Sequence, residues 1–272
     1  SWLRWSIALH IHGHAKMQRQ HGDVTKASGS VRKDPRMTTK SFFGLLENLE
    51  SAVRKLTWQT EGTEWGNYYS NTNYSDEAKL SKKRIIEEFI DSGIQPTSVW
   101  DLGANEGVFS RIASERGIFT IAFDIDPAAV ERNYRQVRKG KEENLLPLCC
   151  DLSNPSPSLG WNCKERLSFL ERGPTHTVMA LALIHHLVIG NNVPMSSVAE
   201  FLSSLCNFLV IEFVPKSDSQ VQRLLETRED IFPDYHLTGF EKEFSKNFTI
   251  MRKVKVQSSD RVILLLKAKN AM

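Results

Sequence analysis

From residue 75 onward, short apolar runs alternate with stretches in which apolar residues recur every three or four positions. Short buried runs are typical of parallel β-strands, and the three-to-four spacing is typical of helices that pack on a sheet. Five such runs begin at Val99, Ile118, Leu145, Thr177 and Phe208. Five strand–helix repeats predict an α/β fold with a doubly wound, mostly parallel sheet and helices on both faces, in the strand order 3-2-1-4-5. Two final runs joined by a short polar link predict an antiparallel hairpin.

A glycine turn follows the first predicted strand, with the sequence Asp101-Leu-Gly-Ala-Asn-Glu-Gly107, and the second apolar run ends on Asp124. Ligands of doubly wound sheets bind beyond the carboxyl ends of the strands. Gly103 and Gly107 would allow a ligand to approach the backbone, and the start of the next helix favours a carboxylate. Asp124 could accept both hydroxyls of a ribose. The turn and Asp124 therefore predict a site for a nucleoside that carries a small charged group.

Further polar residues lie at the ends of other predicted strands. Asp151 follows the third run, where it would either bond an adenine amino group or act as a turn residue. His185 and His186 follow the fourth run and are candidates for a catalytic base, because histidine titrates near neutrality. The alternative is that one histidine faces the core or only contacts the ligand. Glu212, inside the fifth run, would either serve the site or pair with a cation.

The chain before residue 75 has a different character, and the sequence predicts three parts. Residues 1–40 hold eight Lys or Arg and two Asp, so this arm carries +6 although the whole chain carries only +3. This composition predicts that residues 1–40 are a basic arm and linker that could bind a partner. Residues 41–74 combine a helix with an aromatic stretch, residues 61–74, which would be either a lid or a surface loop. Residues 75–272 form the main α/β domain.

Composition excludes several classes of protein. Hydrophobic residues make up 40% and charged residues 25%, as in globular proteins, and no apolar run is long enough to span a membrane. The four cysteines show neither metal spacing nor a disulfide framework, which predicts a reducing, cytoplasmic setting. The histidines between residues 10 and 21 match no metal motif either, so we predict no metal site.

The glycine turn resembles the first motif of class I S-adenosylmethionine-dependent methyltransferases, which usually reads acidic-x-G-x-G-x-G. This sequence departs from it at Asn105, where the backbone must accept an unusual φ. The stretch Ala-Leu-Ala-Leu-Ile-His-His resembles the segment after strand four in many small-molecule members. The stretch Ile211-Glu-Phe-Val-Pro, taken with Ile-His-His-Leu, is similar to bacterial nodulation-type O-methyltransferases, which act on carbohydrate hydroxyls.

The resemblance implies a fold, a cofactor and a set of residues. It completes the sheet as seven strands in the order 3-2-1-4-5-7-6, with an antiparallel last strand and an N-terminal helical and loop extension. It implies S-adenosylmethionine as cofactor, bound through Asp101, Gly103, Asn105, Gly107, Asp124 and Asp151. In this assignment Asp101 orients the turn or holds the methionine amino group, Asp124 binds the ribose and Asp151 the adenine. His185 or His186 would be the base.

These observations predict methyl transfer to a small-molecule or glycan acceptor, at a hydroxyl oxygen. One alternative is an RNA methyltransferase that uses the basic arm. Nucleic acid is disfavoured as a partner, because the body of the chain is acidic overall and shows no aromatic and basic RNA motif. The other alternative is a non-catalytic scaffold, because a fold alone does not imply activity.

Overall fold

The computed structural model describes residues 12–13, 15–16, 38–58 and 75–269. Most of the predicted basic arm and all of the aromatic stretch 61–74 lie outside these residues. The chain divides into two units, Ser1–Gln59 and Thr60–Met272, which are described separately. The three-part domain division stays a prediction. Within the described ranges, no helix is both long enough and apolar enough to cross a membrane.

The described part of the first unit contains helix α1, Thr39–Arg54. Thr38 caps the helix, because its side-chain oxygen accepts a hydrogen bond from the Ser41 backbone N–H at 3.2 Å. The helix predicted from residue 41 onward is confirmed and ends at Arg54. Phe42 and Leu46 on its apolar side are exposed.

The second unit is built on a seven-stranded sheet in the order β3-β2-β1-β4-β5-β7-β6. The first five strands pair in parallel, whereas β7 runs antiparallel to both β5 and β6. The predicted fold class and strand order are therefore confirmed, including the antiparallel last strand. The strands are β1 Ser98–Leu102, β2 Phe119–Asp124, β3 Leu145–Cys149, β4 Thr175–Ala180, β5 Cys206–Phe213, β6 Phe248–Lys255 and β7 Val262–Ala268.

Helices cover both faces of this sheet. Successive residues of β4 show the two layers, since Val178 contacts the core beneath α5 and α7 while Met179 contacts the core beneath α2 and α3. Strands buried on both faces need apolar residues at every position, which explains their continuous apolar runs. The helices are α2 Asp76–Glu88, α3 Ser110–Ser114, α4 Pro127–Gly140, α5 Met195–Leu205, α6 Ser219–Leu225 and α7 Leu237–Asn247. Single π-helical turns follow α2 at Phe89–Ile94 and β4 at His186–Gly190.

Two helix caps position the elements around the carboxyl ends of the strands. Ser75 caps α2 by accepting a hydrogen bond from the Ala78 backbone at 3.1 Å. Asp126 caps α4 in the same way through Ala128 at 2.8 Å, and Pro127 occupies the first helical position. Because Asp126 lies two residues after Asp124, the second cap fixes the tip of β2.

Candidate functional site

A cavity of about 440 Å³ lies at the carboxyl ends of the parallel strands. Cavities of roughly 300–1,000 Å³ are typical of small-molecule sites. Six of the eight residues predicted for the site line it: Asp101, Gly103, Asn105, Asp124, Asp151 and His186. Gly107 and His185 do not line it. The structure thus brings together polar residues that are separated by up to 85 positions in the sequence, from Asp101 to His186.

The glycine turn adopts the backbone that its sequence requires. Gly103 and Asn105 have φ values of 76° and 51°, so the left-handed conformation expected at Asn105 is confirmed. The backbone N–H groups of Gly103 and Ala104 both donate to the Phe123 carbonyl at 2.9 Å. These bonds hold the turn against the end of β2 and bring its backbone to the cavity.

Gly107 serves packing rather than ligand approach. Its φ is 73°, and a Cβ atom there would lie 2.4 Å from Nδ2 of Asn133 in α4. Asn133 is buried and held in place, because its Oδ1 accepts a hydrogen bond from Arg111 at 3.0 Å. The glycine is needed at this position, but for contact with a neighbouring helix.

Asp124 links the turn to the tip of β2. Its Oδ2 accepts from the Asn105 N–H at 2.7 Å, and its Oδ1 accepts from the Asp126 N–H at 2.8 Å. Burial raises the pKa of Asp124, and these two backbone hydrogen bonds partly oppose that rise. Since each carboxylate oxygen has two lone pairs, each can still accept one hydroxyl. The Asn105 N–H is therefore engaged within the protein and holds the turn to Asp124.

Asp101 is a buried acid at the floor of the cavity. It is 2% exposed, and Ser110 donates its hydroxyl to Oδ2 at 2.6 Å. Burial raises the pKa of Asp101 to about 6, although the Ser110 hydrogen bond and the Lys82 charge oppose the rise. A buried carboxylate is costly unless a cation pairs with it. Asp101 is therefore suited to receive a ligand ammonium group.

Replacing this acid by its amide, Asp101→Asn, is expected to stabilise the protein without ligand at neutral pH. The pKa of Asp101 in the folded protein, about 6, lies above the ordinary aspartate value of 3.8. The protonated side chain therefore contributes its full stabilisation at pH values below 3.8, and this stabilisation is lost as the pH rises through about 6. We expect Asp101→Asn to raise the free energy of unfolding by about 1–3 kcal/mol near pH 7.5, with little change near pH 4.

Urea unfolding at the two pH values would measure this effect. Asp260→Asn is a suitable control, because Asp260 is an exposed carboxylate whose partner is Lys255. Equal unfolding free energies for Asp101→Asn and the wild-type chain at both pH values would contradict the prediction.

Asp151 acts as a turn residue, as one interpretation of the sequence proposed, and it also lines the cavity. It lines the cavity, and its Oδ1 also accepts from the Ser153 N–H at 2.8 Å and the Ser153 hydroxyl at 2.6 Å. The side chain therefore closes a local turn directly after β3. Neighbouring Cys150 and Leu152 also line the cavity.

The two histidines occupy different environments, although their rings lie only 4.1 Å apart. His186 lines the cavity, whereas His185 is 1% exposed and its buried Nδ1 has no hydrogen-bond partner among the described residues. Burial and, secondarily, the charge of Arg261 lower the pKa of His186 to about 4. Burial also lowers the pKa of His185 well below its usual value. Both rings are therefore neutral at physiological pH, and His186 is the one placed to contact a ligand.

A buried charge cluster beside the cavity was not predicted in full. Glu212 pairs with a cation, as one interpretation of the sequence proposed. Its carboxylate lies 2.6 Å from Nζ of Lys82 and 3.6 Å from the guanidinium of Arg261. Arg261 also donates to Asp218 at 2.7 and 3.0 Å. Lys82 could have been found in the sequence, because it falls at helical spacing between the apolar residues Ala78 and Ile86.

Among the residues that the structure describes, no three His, Cys, Asp or Glu side chains are grouped closely enough to hold a metal ion. All four cysteines are free thiols. The polar side chains at the cavity are thus carboxylates, amides, two lysines, a serine, a cysteine and a neutral imidazole.

Comparison with known proteins gives a curated relative and many similar solved structures, two of which are described below. No family model matches the chain. The chain is 34% identical over 265 residues to nodulation protein NoeA of Rhizobium meliloti (strain 1021). The aligned region makes up 96% of this chain and 55% of the relative. The chain therefore spans about half the length of that relative. The predicted resemblance to nodulation-type proteins is confirmed.

Two solved structures share the architecture. Magnesium protoporphyrin IX methyltransferase (ChlM) from Synechocystis PCC 6803 with bound SAH has a TM-score of 0.51 at 16% identity, over 75% of this chain and 93% of that one. The PH0226 protein from Pyrococcus horikoshii OT3 also has a TM-score of 0.51 at 16% identity, over 76% of this chain and 100% of that one. At this identity the comparison establishes the fold alone.

Proposed function

The chain has the fold of class I S-adenosylmethionine-dependent methyltransferases, and from this premise we propose that it binds S-adenosylmethionine and methylates a hydroxyl group of a small molecule or glycan. One observation carries the proposal. The acids at the tips of β1, β2 and β3 line a single cavity together with the glycine turn. In open α/β sheets, such a crevice is where nucleotide-like ligands bind.

Each part of this cofactor can be matched to residues that line the cavity. Asp101 is a buried acid that would pair with the methionine ammonium group. Gly103 leaves room for a ligand beside the backbone, since its position has no side chain and a φ of 76°. Asp124, held by two backbone N–H groups, would accept the ribose hydroxyls through its remaining lone pairs. Asp151, with Leu152 beside it, would border the adenine.

The sulfonium of S-adenosylmethionine supplies a methyl group that is already activated for transfer. The protein must hold the acceptor in line with it, so that positioning supplies much of the rate enhancement. His186 would accept a hydrogen bond from the acceptor hydroxyl, because its neutral ring lines the cavity. A pKa near 4 makes this ring a weak proton acceptor, which favours orientation of the hydroxyl over strong base catalysis. His185, whose ring lies 4.1 Å from that of His186, would help to fix the orientation of the His186 ring.

The proposed class of acceptor is supported by the other residues that line the cavity. Leu183, Leu187 and Leu224 line it together with the amide of Asn191. Such a wall suits a compact molecule that has both apolar surface and hydroxyl groups. The resemblance of the stretch Ile211-Glu-Phe-Val-Pro to nodulation-type O-methyltransferases implies a carbohydrate hydroxyl as acceptor. The partner of the basic arm and a cytoplasmic location stay predictions.

Binding of S-adenosylhomocysteine, measured by isothermal titration calorimetry, tests the proposal. We expect saturable binding to the wild-type chain. Asp124→Ala should weaken this binding by about 1–3 kcal/mol, because it leaves ribose hydroxyls without their acceptor. Asp91→Ala is the control, since Asp91 is an exposed carboxylate paired with Arg116 and does not line the cavity.

The outcomes separate the alternatives. A folded wild-type chain that binds no S-adenosylhomocysteine would contradict the proposed function. Unchanged affinity in Asp124→Ala would remove Asp124 from the site. A chain that binds the cofactor but methylates no hydroxyl acceptor from a broad panel would instead be a non-catalytic scaffold.

A further inference from the structure

Lys82 is a buried cation on the wall of the cavity. It lies in α2, its side chain is 3% exposed, and it lines the cavity together with Asp101 and Phe109. Its Nζ lies 4.5 Å from the centre of the Phe109 ring. A lysine is almost never buried this deeply unless it has a partner of opposite charge.

Lys82 belongs to a buried cluster whose charges balance one another within the protein. Glu212 is fully buried in β5, with Lys82 on one side at 2.6 Å and Arg261 on the other at 3.6 Å. Arg261 in turn pairs with Asp218, so that the two cations balance two carboxylates. Buried ion pairs are often no more stabilising than apolar residues of the same size. Stability alone therefore gives little reason for a lysine at this position.

The position of Lys82 next to Asp101 gives a better reason. Both charged side chains line the same cavity, one positive and one negative, and the charge of Lys82 opposes the rise in the pKa of Asp101. An α-amino acid carries one group of each sign. A buried cation and a buried acid side by side can therefore satisfy both of its charges at once.

We infer that Lys82 binds the α-carboxylate of the methionine part of the cofactor, while Glu212 acts as the positioning residue that holds the Lys82 ammonium at the cavity wall. The inference rests on the proposed function and extends it to a specific contact. It assigns the amino acid end of the ligand to α2 and β1, and leaves the nucleoside end to the tips of β2 and β3.

Two nucleosides that differ at this end provide the test. S-adenosylhomocysteine carries the amino acid group, whereas methylthioadenosine lacks it. Calorimetric affinities for both would be measured with the wild-type chain, Lys82→Met and Lys83→Met. Lys83 is the matched control, because it is the next residue of the same helix, half-exposed and paired with Glu87.

We expect Lys82→Met to lower the affinity for S-adenosylhomocysteine about 10- to 100-fold, the usual effect of losing a charge-assisted hydrogen bond. Its affinity for methylthioadenosine should stay within about twofold, which a general loss of structure would not allow. Lys83→Met should leave both affinities unchanged. Glu212→Gln should show the same selective loss in weaker form, because the lysine is then less firmly placed. If Lys82→Met does not fold, Lys82→Gln keeps an amide donor toward Glu212 and takes its place.

Equal losses for both nucleosides in Lys82→Met would overturn the inference, as would unchanged affinity for S-adenosylhomocysteine. A selective loss in Lys79→Met instead would also overturn it, because Lys79 is the other lysine of α2 that lines the cavity. If the folded wild-type chain binds neither nucleoside, the proposed function fails and the inference fails with it.

Discussion

Glu212→Ala is expected to lower the free energy of unfolding by about 3–5 kcal/mol, the usual cost of removing one partner from a buried ion pair. The carboxylate is fully buried and lies between Lys82 and Arg261. Removing it leaves Lys82 and Arg261 buried with one carboxylate fewer to balance their charges. Burial already lowers the pKa of Lys82 against the opposing effect of Glu212, so part of the cost would appear as loss of the lysine proton. Urea unfolding monitored by circular dichroism would measure the change.

Two variants show whether the loss comes from unpaired charge. Asp260→Ala removes an exposed carboxylate from its pair with Lys255 and should cost only about 0–1 kcal/mol. The double variant Glu212→Leu with Lys82→Met replaces one buried pair by apolar side chains and should recover most of the loss. A loss below about 1 kcal/mol in Glu212→Ala would show that the cluster is not the buried charge network described above.

Gly107→Ala is expected to lower the free energy of unfolding by about 2–5 kcal/mol. A left-handed backbone costs a residue with a Cβ roughly 1–2 kcal/mol, and overpacking a filled site costs roughly 1–3 kcal/mol more. Both apply here, because φ is 73° and the new Cβ would lie 2.4 Å from the side chain of Asn133. Thermal and urea unfolding would measure the combined effect.

Gly117→Ala separates the two contributions. Gly117 has a φ of 76°, but a Cβ atom there would meet nothing within 4 Å. It should therefore cost only the backbone contribution of roughly 1–2 kcal/mol. Equal losses in Gly107→Ala and Gly117→Ala would contradict a packing role for Gly107.

Local signals in the sequence predicted much of the fold and part of the site. The turn at Gly103, the left-handed Asn105 and the Asp126 cap are properties of a few neighbouring residues, and each was found. The alternation of short apolar runs with helices predicted the doubly wound parallel sheet, because it allows few topologies, and the family resemblance completed the seven-strand order.

What the sequence could not provide depends on contacts between distant elements. The spacing of Lys82 between Ala78 and Ile86 indicates the apolar side of α2, but nothing nearby in the sequence identifies its partner. Its burial is decided by Glu212, 130 positions away. The choice between His185 and His186 depends on a π-helical turn, which rotates one ring to the cavity and the other to the core. The reason for Gly107 lies in α4, which no local pattern reveals.

The buried Glu212 also bears on how the sheet is completed during synthesis. One edge of β5 pairs with β7, which is synthesised after β5 and follows directly after Arg261. Until then β5 is an open edge, and apolar open edges invite pairing with other chains. A charge near the carboxyl end of β5 opposes such pairing, because burying it without Arg261 is costly. We therefore expect the carboxylate that holds Lys82 also to disfavour pairing of the unfinished sheet with other chains.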